Sequence, residues 1–216
     1  MKLVFPRLYA IMDASLLNSS EQAVAEMLAQ SGAALIQYRN KQSSARRLFE
    51  SVSRLLRILR PLAARLVVND RPDIAALSGA DGVHVGQQDL GPAEARAIVG
   101  PACCVGVSTH SLEQVRAAAD SPADYIAVGP IFPTATKERP DPVVGLDFIR
   151  LARALTDKPL VAIGGITLER APQVFAAGAD SLAVARDLLT AADPVARVRQ
   201  FLKVAQEATR WSQPGA

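Results

Sequence analysis

Short apolar runs alternate along this chain with longer segments of helical period, and the alternation repeats eight times. The strand-like runs are Leu8–Met12, Leu35–Arg39, Leu66–Asn69, Gly82–Val85, Cys104–Val107, Tyr125–Val128, Leu160–Ile163 and Leu182–Ala185. A helix can follow each of them. Ser19 with Gln22, and Ser111 with Gln114, have the spacing of a capping box, in which two side chains satisfy the first free amides of a helix. Gly91-Pro92 and Asp193-Pro194 put proline where a helix can start without losing a hydrogen bond. The third unit is the shortest, since Asp73–Leu77 gives little more than one turn. Gly32, Gly79 and Gly178 stand just past helices, where a left-handed cap is expected.

Eight such units in 216 residues predict one α/β domain, a (β/α)8 TIM barrel. The barrel should occupy about residues 7–207, with 208–216 as a tail. The alternative is an open doubly wound sheet, which usually has fewer strands and a glycine fingerprint after its first strand. Here the glycine pair, Gly164-Gly165, comes late.

Composition narrows the setting. Half of the residues are apolar, enough for a sizeable core, yet no window reaches the ~20 apolar residues of a membrane helix. The stretch Met1–Arg7 becomes charged too soon for a secretory signal. Cys103 and Cys104 are neighbours, so on a strand they would face opposite ways and do not suit a mutual disulfide. Buried thiols without a disulfide framework point to the cytoplasm. The net charge is +3. Much of the excess sits at Arg46, Arg47, Arg54, Arg57 and Arg60, beside the apolar stripe Leu48, Phe49, Val52, Leu55, Leu56 and Leu59. That is the solvated face of a helix. A nucleic-acid surface would carry more charge and aromatic stacking residues. A homo-oligomer is compatible with these features.

In this fold, chemistry gathers at the C-terminal ends of the strands. Period two places Gln37, Arg39 and Lys41 on one face at the end of strand two. Strand three ends in Asn69-Asp70, and Gly86-Gln87-Gln88-Asp89 follows strand four. Adjacent strands lie ~4.8 Å apart, so Asp70 and Asp89 can converge on one cation. Two carboxylates without a full protein cage suit Mg²⁺, which keeps water and substrate phosphate in its shell. Taken singly, Asp70 is a turn residue before Arg71-Pro72, and Asp89 is a cap before Gly91-Pro92. His84, inside strand four, reads first as a hydrogen-bonded core residue and second as a substrate contact. His110 is a loop residue that could serve as a base.

The connection after strand six is the longest in the chain, and long connections in compact domains are usually functional. It runs Gly129-Pro130-Ile131-Phe132-Pro133-Thr134-Ala135-Thr136-Lys137, and then through 138–144. Thr134, Thr136 and Lys137 offer two hydroxyls and an ammonium to phosphate oxygens. Gly164-Gly165 lets backbone N–H groups approach an anion at the recurrent phosphate site of the fold. One barrel mouth would thus hold two anion sites.

As a set, Gln37-Tyr38-Arg39-Asn40-Lys41, Val68-Asn69-Asp70, Gly82-Val83-His84-Val85-Gly86-Gln87-Gln88-Asp89, Gly106-Val107-Ser108, the loop Gly129 to Lys137 and Ile163-Gly164-Gly165-Ile166 resemble the thiamine phosphate synthase family. The resemblance implies a Mg²⁺-dependent transferase. A hydroxymethylpyrimidine diphosphate would lose pyrophosphate to the nitrogen of a hydroxyethylthiazole phosphate, giving thiamine phosphate. Carried over, Arg39, Lys41, Asn69 and Lys137 would hold the diphosphate, and Asp70 and Asp89 the metal. Gln37 and Ser108 would contact the pyrimidine. Thr134, Thr136 and the amides near Gly165, Ala185 and Arg186 would hold the thiazole phosphate. A closing loop should keep water from the cationic pyrimidine, and Glu138–Val144 is the candidate.

Two positions depart from the family pattern. Asn40 stands where glutamate is common, on the face opposite Arg39 and Lys41. Arg186 stands where a small hydroxyl residue is usual, and a backbone N–H contact there would survive the change. Three rival functions fit these residues less well. A thiazole tautomerase of the same superfamily would need a proton shuttle and no diphosphate site. A non-catalytic thiamine phosphate sensor would not need the carboxylate pair. A phosphosugar isomerase or lyase would need a base or a Schiff-base lysine within a strand, and none is visible.

Overall fold

Each strand in the computed structural model pairs in parallel with the next in chain order, and the eighth returns to the first, closing a barrel. The structure describes residues 5–134 and 141–211. The strands are β1 Leu8–Asp13, β2 Leu35–Arg39, β3 Arg65–Asn69, β4 Gly82–Val85, β5 Cys104–Thr109, β6 Tyr125–Val128, β7 Leu160–Ile163 and β8 Ser181–Val184. The helices are α1 Glu21–Gln30, α2 Ala45–Leu59, α3 Pro72–Ser78, α4 Pro92–Val99, α5 Leu112–Asp120, α6 Gly145–Arg153, α7 Ala171–Ala176, α8 Arg186–Leu189 and α9 Pro194–Trp211. The expected (β/α)8 barrel is present.

Four strands keep their expected bounds. The others shift by one or two residues, and the shift matters in two places. β1 runs on to Asp13 and β5 to Thr109, so Asp13 and Ser108 are held by ladders and not by loops. The first helix is capped by Ser20, whose hydroxyl accepts from the Ala23 N–H, one residue later than Ser19. Ser111 caps α5 as expected, but Gln114 accepts from the His110 N–H, reaching past the cap residue. The short α8 was not anticipated. Helix α9 continues to Trp211, beyond residue 207.

Parallel strands with alternating side chains give two apolar layers. Between sheet and helices lie such residues as Leu28, Leu55, Leu59 and Phe201. Inside the barrel, Phe5, Tyr9, Ile11, Val67, Tyr125 and Val161 form a separate cluster. The Phe5 ring lies 4.6 Å from that of Tyr125 and fills the space before the strands begin. Room for Tyr125 is made by Gly106, where any Cβ would come within 1.9 Å of the Tyr125 ring. Both cysteines are free thiols, and burial pushes them up to about 11 for Cys103 and about 12 for Cys104. The five arginines of α2 and its end are exposed, as the stripe pattern required. Among the described residues, no helix is long and apolar enough to cross a membrane.

Candidate active site

At the C-terminal ends of the strands lies a cavity of about 430 Å³, walled mainly by apolar side chains from the strands and by the loops after β6, β7 and β8. Gln37, Arg39, Asn69, Ser108, Thr134, Gly165, Ala185 and Arg186 all line it, as the sequence predicts. Thr136 and Lys137, and 138–140 of the loop proposed to close, lie outside the described residues.

Period two along β2 sends Gln37 and Arg39 inward. Gln37 is 4% exposed and donates through Nε2 to the Tyr9 hydroxyl at 2.8 Å. Arg39 Nη1 donates to Asp13 Oδ2 in a short ion pair. Asp13, only 2% exposed, also accepts from the Ser15 amide at 3.0 Å and from its hydroxyl at 2.6 Å. A buried carboxylate so satisfied fixes the guanidinium, which loses its freedom before any ligand arrives. The sequence reading missed Asp13, although it ends a strand as the other site residues do.

Lys41, Asp70 and Asp89 gather beside this cavity rather than within its lining. Lys41 Nζ stands 3.1 Å from Asp70 Oδ2. Asp89 Oδ2 accepts from the Gly86 N–H at 2.8 Å. Burial first, and the facing Asp70 carboxylate after it, raise the Asp89 carboxyl above its ordinary value. Two carboxylates this close, one of them raised by the other, suit a bound divalent cation, which would relieve the repulsion. Asp70 has a φ of +61°, a left-handed conformation that aspartate and asparagine tolerate better than other branched side chains.

The glycine pair does more than expected. A Cβ on Gly164 would come within 2.5 Å of Pro130 Cα, and one on Gly165 within 2.4 Å of the Pro133 carbonyl. Ile131 N–H donates to Ile163 O at 2.9 Å and Phe132 N–H to Gly164 O at 3.0 Å. The glycines therefore let the loop after β6 lie flat on the loop after β7. This adds a packing reason to the anion-binding one.

Arg170 was also missed. Its Nη1 donates to the Gly165 carbonyl at 2.7 Å and its guanidinium lies 4.5 Å over the Phe132 ring, so it ties the same two loops together. His110 is engaged rather than simply solvated, with Nδ1 donating to Gly129 O at 2.5 Å and Nε2 3.4 Å from Asp141 Oδ2. His84 is buried between Tyr125 and Ser108, and it also lines the cavity. Asn40 points away from the site and donates to the Tyr38 hydroxyl at 3.1 Å.

A family model described as thiamine monophosphate synthase matches residues 8–188. The chain belongs to that family. A thiamine-phosphate synthase of Koribacter versatilis is 50% identical over 207 residues, which cover 94% of this chain and 97% of the relative. A thiamine-phosphate synthase of Chloroflexus aurantiacus is 42% identical, with 90% of each chain covered. Among solved structures, thiamine phosphate pyrophosphorylase from Pyrococcus furiosus superposes with a TM-score of 0.85 at 32% identity, covering 94% of this chain and 96% of that one. These relatives are matched almost end to end, so membership in the thiamine monophosphate synthase family covers the whole barrel and the cavity at its mouth.

Proposed function

We propose that this cavity joins a hydroxymethylpyrimidine diphosphate to a hydroxyethylthiazole phosphate, releasing pyrophosphate and forming thiamine phosphate. The activity is that of the thiamine monophosphate synthase family to which the chain belongs, a transferase. The observation that carries the reading is one cavity between two different anion-binding walls. On one side stand Arg39, Asn69 and the neighbouring Lys41, Asp70 and Asp89. On the other stand Thr134 and the turns at Gly165, Ala185 and Arg186.

In this reading Arg39, Lys41, Asn69 and Lys137 hold the diphosphate. Asp70 and Asp89 hold Mg²⁺. A bound Mg²⁺ would neutralise charge that develops on the departing oxygen. The C–O bond to the diphosphate breaks, its electron pair leaves with pyrophosphate, and the thiazole nitrogen lone pair forms the new C–N bond. No strong base is needed. Gln37 and Ser108 hold the pyrimidine, while apolar side chains such as Ile11, Val161 and Ile163 exclude water from the cationic ring. Thr134, Thr136 and the amides near Gly165, Ala185 and Arg186 receive the thiazole phosphate. The free thiols of Cys103, which is buried, and Cys104, which is half-buried, agree with work in the cytoplasm. Formation of thiamine phosphate from the two substrates tests the reading, and a folded protein that forms none would overturn it.

Arg186 gives a finer test. Asp187, which could have paired with it, instead accepts from Arg197 at 2.7 Å and from the Leu168 N–H at 3.1 Å. The Arg186 side chain is exposed. A contact through its backbone alone predicts that Arg186→Ser changes the thiazole phosphate KM by less than about threefold. A weakening of about tenfold or more, with diphosphate binding unchanged, would make the guanidinium a direct ligand.

A further inference from the structure

Gln37 and Ser108, the two residues given to the pyrimidine, are the ends of one buried hydrogen-bond chain. From Gln37 Nε2 it passes to Tyr9 Oη at 2.8 Å, then to Tyr125 Oη at 3.0 Å, His84 Nδ1 at 2.8 Å, and from His84 Nε2 to Ser108 Oγ at 2.8 Å. Tyr125 is 1% exposed and lies behind the cavity, whereas the other four members line it.

Proton counting constrains this chain. Burial pushes both phenols far above their ordinary range, so each keeps one hydrogen to give. A neutral His84 carries one more. A buried hydroxyl hydrogen without an acceptor is costly, so each inner member accepts on one side and donates on the other. Two arrangements satisfy every member. In one, Gln37 N–H gives to Tyr9, Tyr9 to Tyr125, Tyr125 to His84 Nδ1, and His84 Nε2–H to Ser108. The Gln37 carbonyl and the Ser108 hydrogen are then left for the cavity. In the other, the Gln37 amide is turned over and every hydrogen bond reverses, which presents the Gln37 N–H groups and a Ser108 lone pair.

We propose that this chain couples its two ends, so that Gln37 and Ser108 present opposite hydrogen-bonding polarity to the pyrimidine, with Tyr125 as the positioning residue that transmits the choice. The inference rests on the pyrimidine assignment made above. An aminopyrimidine carries an exocyclic N–H donor and ring-nitrogen acceptors and so satisfies both ends at once, and the Gln37 amide, with Nε2 toward Tyr9, is oriented for the first arrangement. Gln37 Oε1 accepts from the amine, and Ser108 donates to a ring nitrogen. A ring that offered two acceptors or two donors to these ends would leave one buried group unpaired in either arrangement. The pocket thereby recognises a donor–acceptor pattern rather than a shape alone.

The test first measures turnover of the unsubstituted chain with both substrates, since its absence would defeat the functional reading itself. With the pyrimidine diphosphate bound at pH 8, ¹⁵N chemical shifts should then show His84 as a single neutral tautomer protonated at Nε2. Tyr125→Phe should give mixed tautomers and raise the KM for the pyrimidine diphosphate about tenfold, from the unpaired groups it leaves, with the thiazole phosphate KM within about twofold. Tyr9→Phe cuts the chain one link away and should give the same KM split, so the test stands if Tyr125→Phe does not fold. Turnover with His84 protonated at Nδ1, or with pyrimidine KM unchanged in both variants, overturns the coupling. An equal rise in both KM values would reduce Tyr125 to a packing role and also overturn it.

Discussion

Asp70→Asn should lower kcat by about 10²–10³-fold with the barrel still folded, the usual size of losing one preorganised electrostatic contact to a developing charge. Asparagine is the informative replacement. It removes the charge but tolerates the left-handed φ of +61° at this position, where alanine would add backbone strain. Asp70 is the present partner of Lys41 at 3.1 Å and the neighbour that raises Asp89. Its neutralisation therefore removes half of the carboxylate pair and frees Lys41 at once. Calorimetry adds a readout besides rate: Mg²⁺ should tighten binding of the pyrimidine diphosphate to the unsubstituted chain and not to Asp70→Asn. Full turnover in excess chelator, or unchanged kcat in a folded Asp70→Asn, would remove the metal from the account.

The second large effect is expected at Lys137, placed by sequence at the end of the hydroxyl-rich loop that brings Thr134 to the cavity. Pyrophosphate gains charge as it leaves, so a fixed ammonium on it acts more strongly in the transition state than in the bound substrate. Lys137→Ala should lower kcat by about 10²–10³-fold and leave the thiazole phosphate KM nearly unchanged. A loss confined to thiazole phosphate affinity would move Lys137 to the other half of the site.

The strand-end rule was enough to bring Gln37 and Arg39, with Asn69, to the barrel mouth, because a ladder fixes which way each side chain points; the glycine pair came from the recurrent phosphate site of the fold, and Ser108 only from the family resemblance. The same rule would have found Asp13, had strand one been extended by one residue. Arg170 could not be read this way. It acts from the start of a helix, and its contacts with Gly165 and Phe132 depend on how two loops fold over one another. The chain linking Gln37 to Ser108 was likewise hidden. Its tyrosines look in sequence like ordinary core aromatics, and only closure of the barrel brings Tyr9 of β1 against Tyr125 of β6. The close fit of Gly106 to Tyr125 is a packing event of the same kind.

Pyrophosphate release is the most direct measurement of the central claim, because bond breaking and bond making belong to one cavity in this account. Release should be rapid when the chain, Mg²⁺, the pyrimidine diphosphate and the thiazole phosphate are present together, and slow when either substrate is left out. Thiamine phosphate should appear in equal amount. Equal release with and without the thiazole phosphate, or none with both, would contradict it.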